Sequence, residues 1–299
     1  MLCIKLSSVK YRRPIPEDDM TTRTFLIADS GGTKAAWALA RDGQVIWQRR
    51  TPGLPPSFLN DAEIIGLAKS IADQLNSPIE GVYFYGTGCR ESHASARMKK
   101  LLQHVFPKIP LEVETDILGA ARALCGYEEG IACILGTGSS ACHCEKGLIV
   151  ENIGGLGFIL GDEGSGAALG KTLIAAYLNH ELPENLHHAL EKDYALHRDE
   201  IIDAVYRKPG PNRYLASFAP FVRQWLEHPY IAALAAEQFQ AFFEKSVLKF
   251  SGDKSIPVHF TGSVATHFEQ LIRETAQKMG LQAGTFLTEP IEGLAAFHR

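Results

Sequence analysis

The sequence lacks an excess of positive charge and long apolar runs. Thirty Lys and Arg residues stand against 34 Asp and Glu residues, so the formal net charge is -4. Without a basic stripe the chain has little to neutralise a phosphate backbone, and we expect no nucleic-acid partner. Gly, Asp or Arg interrupts every long apolar run, and none approaches the roughly 18 uninterrupted residues of a membrane helix. No membrane partner is expected.

The sequence also lacks paired cysteines. Its six cysteines form no Cys-x-x-Cys pair, which is typical of reduced thiols in a cytoplasmic protein. Cys142, His143 and Cys144 are adjacent, but alternation along a strand points His143 away from the two thiols, so no zinc site is expected. Residues 1–22 have neither the apolar segment nor the cleavage site of a secretory leader, and we interpret them as an arm outside the fold.

The chain has enough apolar residues to build two cores. It contains 299 residues, of which 45% are hydrophobic and 21% are charged, and this composition argues against disordered and fibrous classes. The length suits two domains of about 100–200 residues each. A cleft between two such domains favours the binding of a ligand.

Two segments repeat one layout of strand, glycine-rich turn, strand, tight turn and strand. The first spans residues 24–49, with its tight turn at Asp42-Gly43, and the second spans residues 131–151, with its tight turn at 145–147. An Asp-Gly pair between two apolar runs strongly predicts a hairpin. The period is too long for a solenoid, so we interpret the repeat as one duplicated unit per domain.

Helical periodicity alternates with the strands. Apolar residues recur at helical spacing behind Asp61, which we take as the N-cap of the first helix. The alternation favours an α/β fold with parallel strands and covering helices. We place the domain boundary near Asp116, between an N-terminal domain of residues 23–115 and a C-terminal domain of residues 116–299. The second domain is expected to carry a helical insert at about 183–249.

Four turns rich in glycine and hydroxyl residues follow predicted strands, at residues 29–34, 86–88, 136–140 and 261–263. Glycine lets the backbone approach a ligand, and successive N–H groups with Ser or Thr hydroxyls form an anion-binding concavity. Ligands of open α/β sheets bind beyond the carboxyl ends of strands. Each turn alone is typical of a simple chain reversal, but the four together predict a phosphate-binding cleft.

Several acidic residues stand at these turns. Asp29 ends the first strand, where a carboxylate can either hold Mg²⁺, usually through water, or form an Asx turn. Asp116 ends the predicted strand LEVETD before a helix, so it is either the N-cap of that helix or a general base for an attacking hydroxyl. Asp162 and Glu163 lie in a glycine run and belong either to a solvated turn or to a pocket that binds sugar hydroxyls.

Residues 165–172 nearly match the P-loop pattern G-x-x-x-x-G-K-[ST]. Ser165 replaces the first glycine, however, and the residues that follow have a helical composition rather than that of a loop. We therefore expect a helix in this segment and not a phosphate loop.

The ordered motifs resemble those of the actin-like ATPase superfamily and, within it, the N-acetylglucosamine kinase and BadF/BadG/BcrA/BcrD ATPase family. The resemblance covers residues 24–299. It implies two duplicated actin-like ATPase, or ribonuclease H-like, domains that close on ATP in a central cleft. The motifs that carry it are IADSGGTK (27–34), YGTG (85–88), ETD (114–116), LGTGSS (135–140), GGLGFILGDEGSGAALGK (154–171) and FTGSVA (260–265).

The resemblance also implies a role for each matching residue. Asp29 and Asp116 would hold Mg²⁺ through water, and Asp116 would be the catalytic base. The adenosine would lie beside Gly262 and Ser263. The phosphates would lie against Gly31, Gly32, Thr33, Lys34, Gly136, Thr137 and Gly138, and the sugar against Thr137, Ser139, Ser140, Gly155 and Asp162.

Three departures from the family pattern lie where the sugar is expected. Ser140 replaces the Asn of many amino-sugar kinases, residues 53–56 (GLPP) replace a G-[IL]-N-P loop, and Leu156 replaces a Trp. The expected activity is that of an ATP-dependent kinase of an N-acetylated amino sugar such as N-acetylglucosamine. The alternative is a BadF-type ATPase that drives a conformational change in a partner protein. The sequence leaves open whether two chains form a homodimer through the helical insert.

Overall fold

The computed structural model describes residues 23–251 and 255–299. The arm expected at residues 1–22 lies outside the described residues. The described chain contains two five-stranded sheets, and each sheet has the same internal strand order. This repeat of topology agrees with the duplication predicted from the two similar hairpin segments.

The first sheet and the helices beside it come from residues 24–125. They are β1 (Thr24–Ser30), β2 (Lys34–Arg41), β3 (Gln44–Pro52), α1 (Asp61–Ala72), β4 (Gly81–Gly86), α2 (Ser92–Val105), β5 (Leu111–Thr115) and α3 (Asp116–Cys125). The sheet order is β3-β2-β1-β4-β5. β1 pairs antiparallel with β2 and parallel with β4, so the carboxyl ends of β1 and β4 share one edge.

The second sheet repeats this arrangement with strands taken from two parts of the chain. Its strands are β6 (Gly130–Leu135), β7 (Ser139–Glu145), β8 (Leu148–Gly154), β9 (Val258–Thr261) and β10 (Ala283–Leu287). Their order is β10-β9-β6-β7-β8. β6 pairs antiparallel with β7 and parallel with β9, so the carboxyl ends of β6 and β9 share an edge in the same way.

The helices of the second half surround this sheet. Within the described residues they are α4 (Gly157–Leu160), α5 (Gly166–Leu178), α6 (Glu184–Tyr194), α7 (Arg198–Tyr206), α8 (Pro211–Ala216), α9 (Ala219–Gln224), α10 (Pro229–Lys245), α11 (Ser263–His267), α12 (Glu269–Lys278) and α13 (Ile291–Phe297). Helices α6 to α10 occupy the region expected as a helical insert. Among the described helices, none combines the length and apolar character needed to cross a membrane.

The tight turns form as the sequence predicts, and the first helix cap does not. Asp42 and Gly43 both have positive φ, at 50° and 81°, which confirms the hairpin turn. The N-cap of α1 is Asn60 and not Asp61. Asn60 accepts a hydrogen bond from the backbone N–H of Glu63 at 3.0 Å, and the Glu63 carboxylate accepts one from the backbone N–H of Asn60 at 2.8 Å. This reciprocal capping box decides between two neighbouring residues of similar capping strength.

The first sheet is buried on both faces. One face packs Leu26 and Phe84 against α1 and α2. The opposite face packs Phe25 and Ile27 against Leu294 of α13. Because α13 follows the second sheet in the chain, the polypeptide returns to the first sheet at its end. The chain first passes between the sheets after β5, and the sequence did not indicate this second crossing.

Helix α3 packs on the second sheet while it also touches α13. Ile117 and Ala121 of α3 lie against Ala132 and Cys142 of the second sheet. A Cβ atom added at Gly293 of α13 would lie 2.4 Å from the carbonyl oxygen of Ala123, so the two helices make backbone contact. Helices α3 and α13 therefore form the connection between the domains.

We predict that Gly170→Ala lowers the melting temperature. The added methyl carbon would lie 1.8 Å from the carbonyl oxygen of Leu215, which would push α5 away from α8, and overpacking of this kind costs about 1–3 kcal/mol. Gly66→Ala in α1 is the matched control, because nothing lies within 4 Å of its added Cβ. Glycine is less favourable than alanine inside a helix, so the Gly66→Ala variant should be more stable than the unsubstituted protein by up to about 1 kcal/mol.

Thermal unfolding followed by circular dichroism measures both variants. If Gly170→Ala unfolds at the same temperature as Gly66→Ala, the close approach of α5 and α8 is contradicted.

Candidate functional site

The glycine turns lie at the carboxyl edges of the two sheets. The turn after β1 lies beside the turn after β4, since the backbone N–H of Thr87 donates to the carbonyl of Ser30 at 2.9 Å. In the second sheet, Gly262 follows β9 beside the end of β6. A salt bridge of 2.8 Å joins Lys34 to Glu289, which follows β10. The carboxyl edges of the two sheets therefore meet at one place.

The first glycine turn is supported by a segment that the sequence analysis assigned elsewhere. The backbone N–H of Gly53 donates to the carbonyl of Thr33 at 3.0 Å, and the N–H of Leu54 donates to the buried Ser30 hydroxyl at 2.8 Å. A Cβ atom at Gly53 would lie 2.2 Å from the carbonyl oxygen of Gly31. Only glycine fits there, so residues 53–54 hold the turn while Gly32 and Thr33 stay exposed.

The second glycine turn is held from two sides. The backbone N–H of Ser139 donates to Oδ1 of Asp162 at 3.2 Å, and a Cβ atom at Gly138 would lie 2.8 Å from Oδ2 of the same carboxylate. On the other side the carbonyl of Gly136 accepts from the backbone N–H of Gly166 at 2.8 Å. Asp162, which is 9% exposed, thus supports the turn, and its contact with a sugar remains a prediction.

The near-match to a P-loop is a helix, as expected. Ser165 is the N-cap of α5, and its hydroxyl accepts a hydrogen bond from the backbone N–H of Ala168 at 3.1 Å. The backbone N–H groups of Gly166 and Ala167 donate hydrogen bonds to carbonyls of the second glycine turn. The start of α5 therefore has few free N–H groups for a phosphate.

The carboxylate of Asp116 is not used as a helix cap. The N-cap of α3 is Thr115, whose hydroxyl accepts from the backbone N–H of Leu118 at 3.3 Å. Asp116 is the first residue of the helix, and its Oδ1 accepts from the backbone N–H of Ile117 at 2.9 Å. Thr115 therefore supplies the N-cap of α3, Asp116 accepts a further N–H of the first turn, and a role of Asp116 as general base stays a prediction.

The pKa values of Asp29 and Asp116 are both raised at the junction of the two domains. Burial raises the pKa of Asp29 to about 7, the charges of Asp116 and Glu289 add to the rise, and Lys34 opposes it. Burial also raises the pKa of Asp116, against a hydrogen bond from the Thr87 side chain. Two desolvated carboxylates at one site favour either a shared proton or a bound cation.

Glu289 is a site residue that the sequence analysis did not identify. Its carboxylate pairs with Lys34 at 2.8 Å and with Arg50 at 3.0 Å, and its side chain is 13% exposed. Burial would raise the pKa of Glu289, but the hydrogen bonds from these two cations lower it. Lys34, which was expected to bind a phosphate of ATP, thus forms an ion pair between the first domain and the end of the second. No local pattern marks Glu289, because its partners lie far away in the chain.

A cavity of about 400 Å³ opens beside the second glycine turn. Gly136 and Thr137 line it from the turn, and Ser263 lines it from α11. Gly262 has a φ of 113°, and a Cβ atom there would lie 2.4 Å from the carbonyl oxygen of Leu135, so glycine is required for the approach. The rest of the cavity wall consists of apolar and polar side chains that were not identified from the sequence, including Pro220, Arg223, Gln224, His267 and Phe268.

Two residues expected at the sugar, Gly155 and Ser140, lie close together outside this cavity. A Cβ atom at Gly155 would lie 3.6 Å from the hydroxyl oxygen of Ser140 and 3.8 Å from Nη1 of Arg90. Arg90 belongs to the first domain, and no motif in the sequence marks it as a site residue. The next segment exposes Leu156 and Ile159, at 62% and 76% of their surface.

Cys142 and Cys144 do not belong to a cluster of metal-ligand side chains among the described residues. Among residues 23–251 and 255–299, no group of three or more His, Cys, Asp or Glu side chains is arranged to hold a metal ion. Cys142 and Cys144 are buried free thiols.

The model of the BadF/BadG/BcrA/BcrD ATPase family matches residues 28–293. The chain belongs to this family. Membership in the BadF-type ATPases implies use of ATP. No curated protein sequence matches the chain at a significant level.

Solved structures similar to this BadF-type chain confirm the fold. A candidate N-acetylglucosamine kinase from Porphyromonas gingivalis is 42% identical, with a TM-score of 0.88, over 92% of this chain and 98% of that chain. A second candidate N-acetylglucosamine kinase, from Chromobacterium violaceum, is 18% identical, with a TM-score of 0.69, over 93% of this chain and 99% of that chain. The expected pair of duplicated actin-like ATPase domains with a central cleft is therefore confirmed.

We predict that Asp29→Asn stabilises the ligand-free protein at high pH. The pKa of Asp29 rises from 3.8 to about 7 on folding, so ionisation of this group costs stability as the pH rises through that interval. The amide cannot ionise and avoids this cost. Its advantage in melting temperature over the unsubstituted protein should be largest at pH 8 and should shrink as the pH falls toward 4.

Asp199→Asn is the matched control, because the Asp199 side chain is 100% exposed. Thermal unfolding from pH 4 to pH 8 measures all three proteins. An advantage of Asp29→Asn that does not grow with pH would contradict the raised pKa.

Proposed function

We propose that the chain is an ATP-dependent sugar kinase that transfers the γ-phosphoryl group to a hydroxyl of an N-acetylated amino sugar. The observation that carries the proposal is the half-buried carboxylate of Asp116, which lies where the two domains join, beside a helix whose N-cap is Thr115. The 42% identity to a candidate N-acetylglucosamine kinase over 92% of this chain supports the same substrate class.

The two glycine turns would bind the phosphates of ATP. Gly32 and Thr33 are exposed at the first turn, and Gly31 lies beside them. Thr137 lies at the second turn and at the mouth of the 400 Å³ cavity. A cavity of this volume suits an adenosine, which would lie beside Gly262 and Ser263. Phosphates bound between the cavity and Asp116 would point toward the acceptor.

The residues present fit a magnesium ion. Mg²⁺ prefers hard oxygen ligands and usually binds one or two carboxylates together with water and substrate phosphates. Asp29 and Asp116 provide two such carboxylates, and their mutual repulsion would be relieved by a divalent cation. Bound there, Mg²⁺ would neutralise charge on the phosphates.

Asp116 would act as the general base. Its carboxylate accepts the proton of the attacking sugar hydroxyl while that oxygen bonds to the γ-phosphorus of ATP, and ADP leaves. The hydrogen bond from the Thr87 side chain orients the carboxylate. The N–H groups of the glycine turns hold the phosphates in line, so that much of the rate arises from positioning and electrostatics. Closure of the domains would exclude water as a competing acceptor.

A panel of amino sugars tests the substrate class. Each sugar is incubated with ATP and Mg²⁺, ADP release is measured, and the product is weighed by mass spectrometry. We expect ADP release that depends on an N-acetylated amino sugar, with a product heavier by one phosphoryl group. ADP release that no sugar stimulates would contradict the proposal and favour an ATPase coupled to a partner protein.

We predict that Asp116→Asn lowers phosphoryl transfer by roughly 10²–10⁴-fold, the usual contribution of a general base. The amide cannot accept the hydroxyl proton, whereas the glycine turns and the cavity still bind ATP. Steady-state kinetics measures the transfer, and equilibrium binding of ATP measures the nucleotide site. The matched control is Glu112→Gln, an exposed carboxylate on the strand β5 that leads to Asp116, and it should keep full activity. Normal turnover by Asp116→Asn would remove this residue from the mechanism.

A further inference from the structure

Arg90 reaches from one domain to the other at the acceptor side of the cleft. It follows the glycine turn after β4 in the first domain. Its two terminal nitrogens lie 3.8 and 3.9 Å from the position of a Cβ atom on Gly155, and the Ser140 hydroxyl oxygen lies 3.6 Å from the same position. Gly155 and Ser140 belong to the second domain. Neither of them lines the 400 Å³ cavity, so Arg90 lies away from the expected adenosine site.

The guanidinium of Arg90 has no hydrogen-bonding or ion-pair partner among residues 23–251 and 255–299, and its side chain is exposed. Three other cations of the first domain are paired: Lys34 and Arg50 contact Glu289, and Arg97 contacts Asp61. A guanidinium keeps its charge at every relevant pH and presents five N–H donors in one plane. Its free donors therefore face the cleft.

Arg90 also lies near the proposed base. Burial raises the pKa of Asp116, and the positive charge of Arg90 is one of the effects that lower it. A molecule whose hydroxyl meets Asp116 would thus extend beneath Arg90 toward Gly155. At this end of the cleft the Ser140 hydroxyl lies beside Gly155. Arg90 adds planar N–H donors next to that hydroxyl.

We propose that Arg90 is a specificity-determining residue that binds the acceptor sugar through an oxygen-bearing substituent at the Gly155 end of the cleft. The proposal rests on the proposed kinase function and adds the group that the site recognises. The chemistry required is an oxygen that accepts planar N–H donors, and either the carbonyl of an N-acyl group or a carboxylate supplies it. A carboxylate would form the stronger, charge-assisted pair.

Arg90→Met tests the proposal on a sugar that the unsubstituted protein phosphorylates. Loss of hydrogen bonds from a charged donor should raise the KM for the sugar by about 10- to 100-fold, with the KM for ATP unchanged. Arg90→Lys retains the charge without the planar fork and should recover part of the loss. Arg49→Met, an exposed arginine of β3 in the same domain, is the matched control and should leave both constants unchanged.

Two acceptors identify the recognised group. An N-acetylated amino sugar is compared with the same sugar carrying a carboxylate substituent. A larger loss for the acidic sugar in Arg90→Met assigns the contact to the carboxylate, and equal losses assign it to the carbonyl. A sugar KM unchanged for both acceptors, or a rise in the KM for ATP instead, overturns the role of Arg90. Sugar-independent ADP release by the unsubstituted protein overturns the kinase function itself, and with it this inference, so the two failures are distinguishable.

Discussion

The main constraint at the junction of the two domains is the like charge of two half-buried carboxylates. Asp29 lies one residue before the end of the central strand of the first sheet, and Asp116 begins the helix that leads to the second sheet. Burial raises the pKa of each carboxylate. Such a pair costs stability in the empty protein, because an ionised group loses hydration that its neighbour cannot replace. The cost is compatible with a site that is completed by a cation and a phosphorylated ligand.

Around this pair, backbone groups are positioned by contacts that only glycine permits. Gly53 touches the first turn, Gly138 touches the Asp162 carboxylate, and Gly262 touches the end of β6. A side chain at any of the three would separate segments that now lie in contact. The turns are therefore positioned before a ligand arrives, which lowers the free energy that binding must spend on ordering them.

The same junction connects the two domains mechanically. Helices α3 and α13 pack against each other between the sheets, and Glu289 joins the end of the second domain to Lys34 and Arg50 of the first. Ion pairs with solvent-exposed partners contribute little to the free energy of unfolding. They do limit how the first glycine turn moves relative to the second domain. Arg90 makes the corresponding approach on the acceptor side, where it has no partner of its own among the described residues.

Features that depend on neighbouring residues could be predicted from the sequence. Positive φ at Asp42 and Gly43, the helix that starts after Ser165 and the duplicated hairpins follow from local backbone preferences, so they could be predicted. The contacts across the cleft, by contrast, depend on the tertiary structure. Lys34 and Glu289 are 255 residues apart, and no local preference encodes their contact. Packing of α13 on the first sheet and the approach of Arg90 to Gly155 likewise arise from folding of the whole chain, because they need both sheets in place.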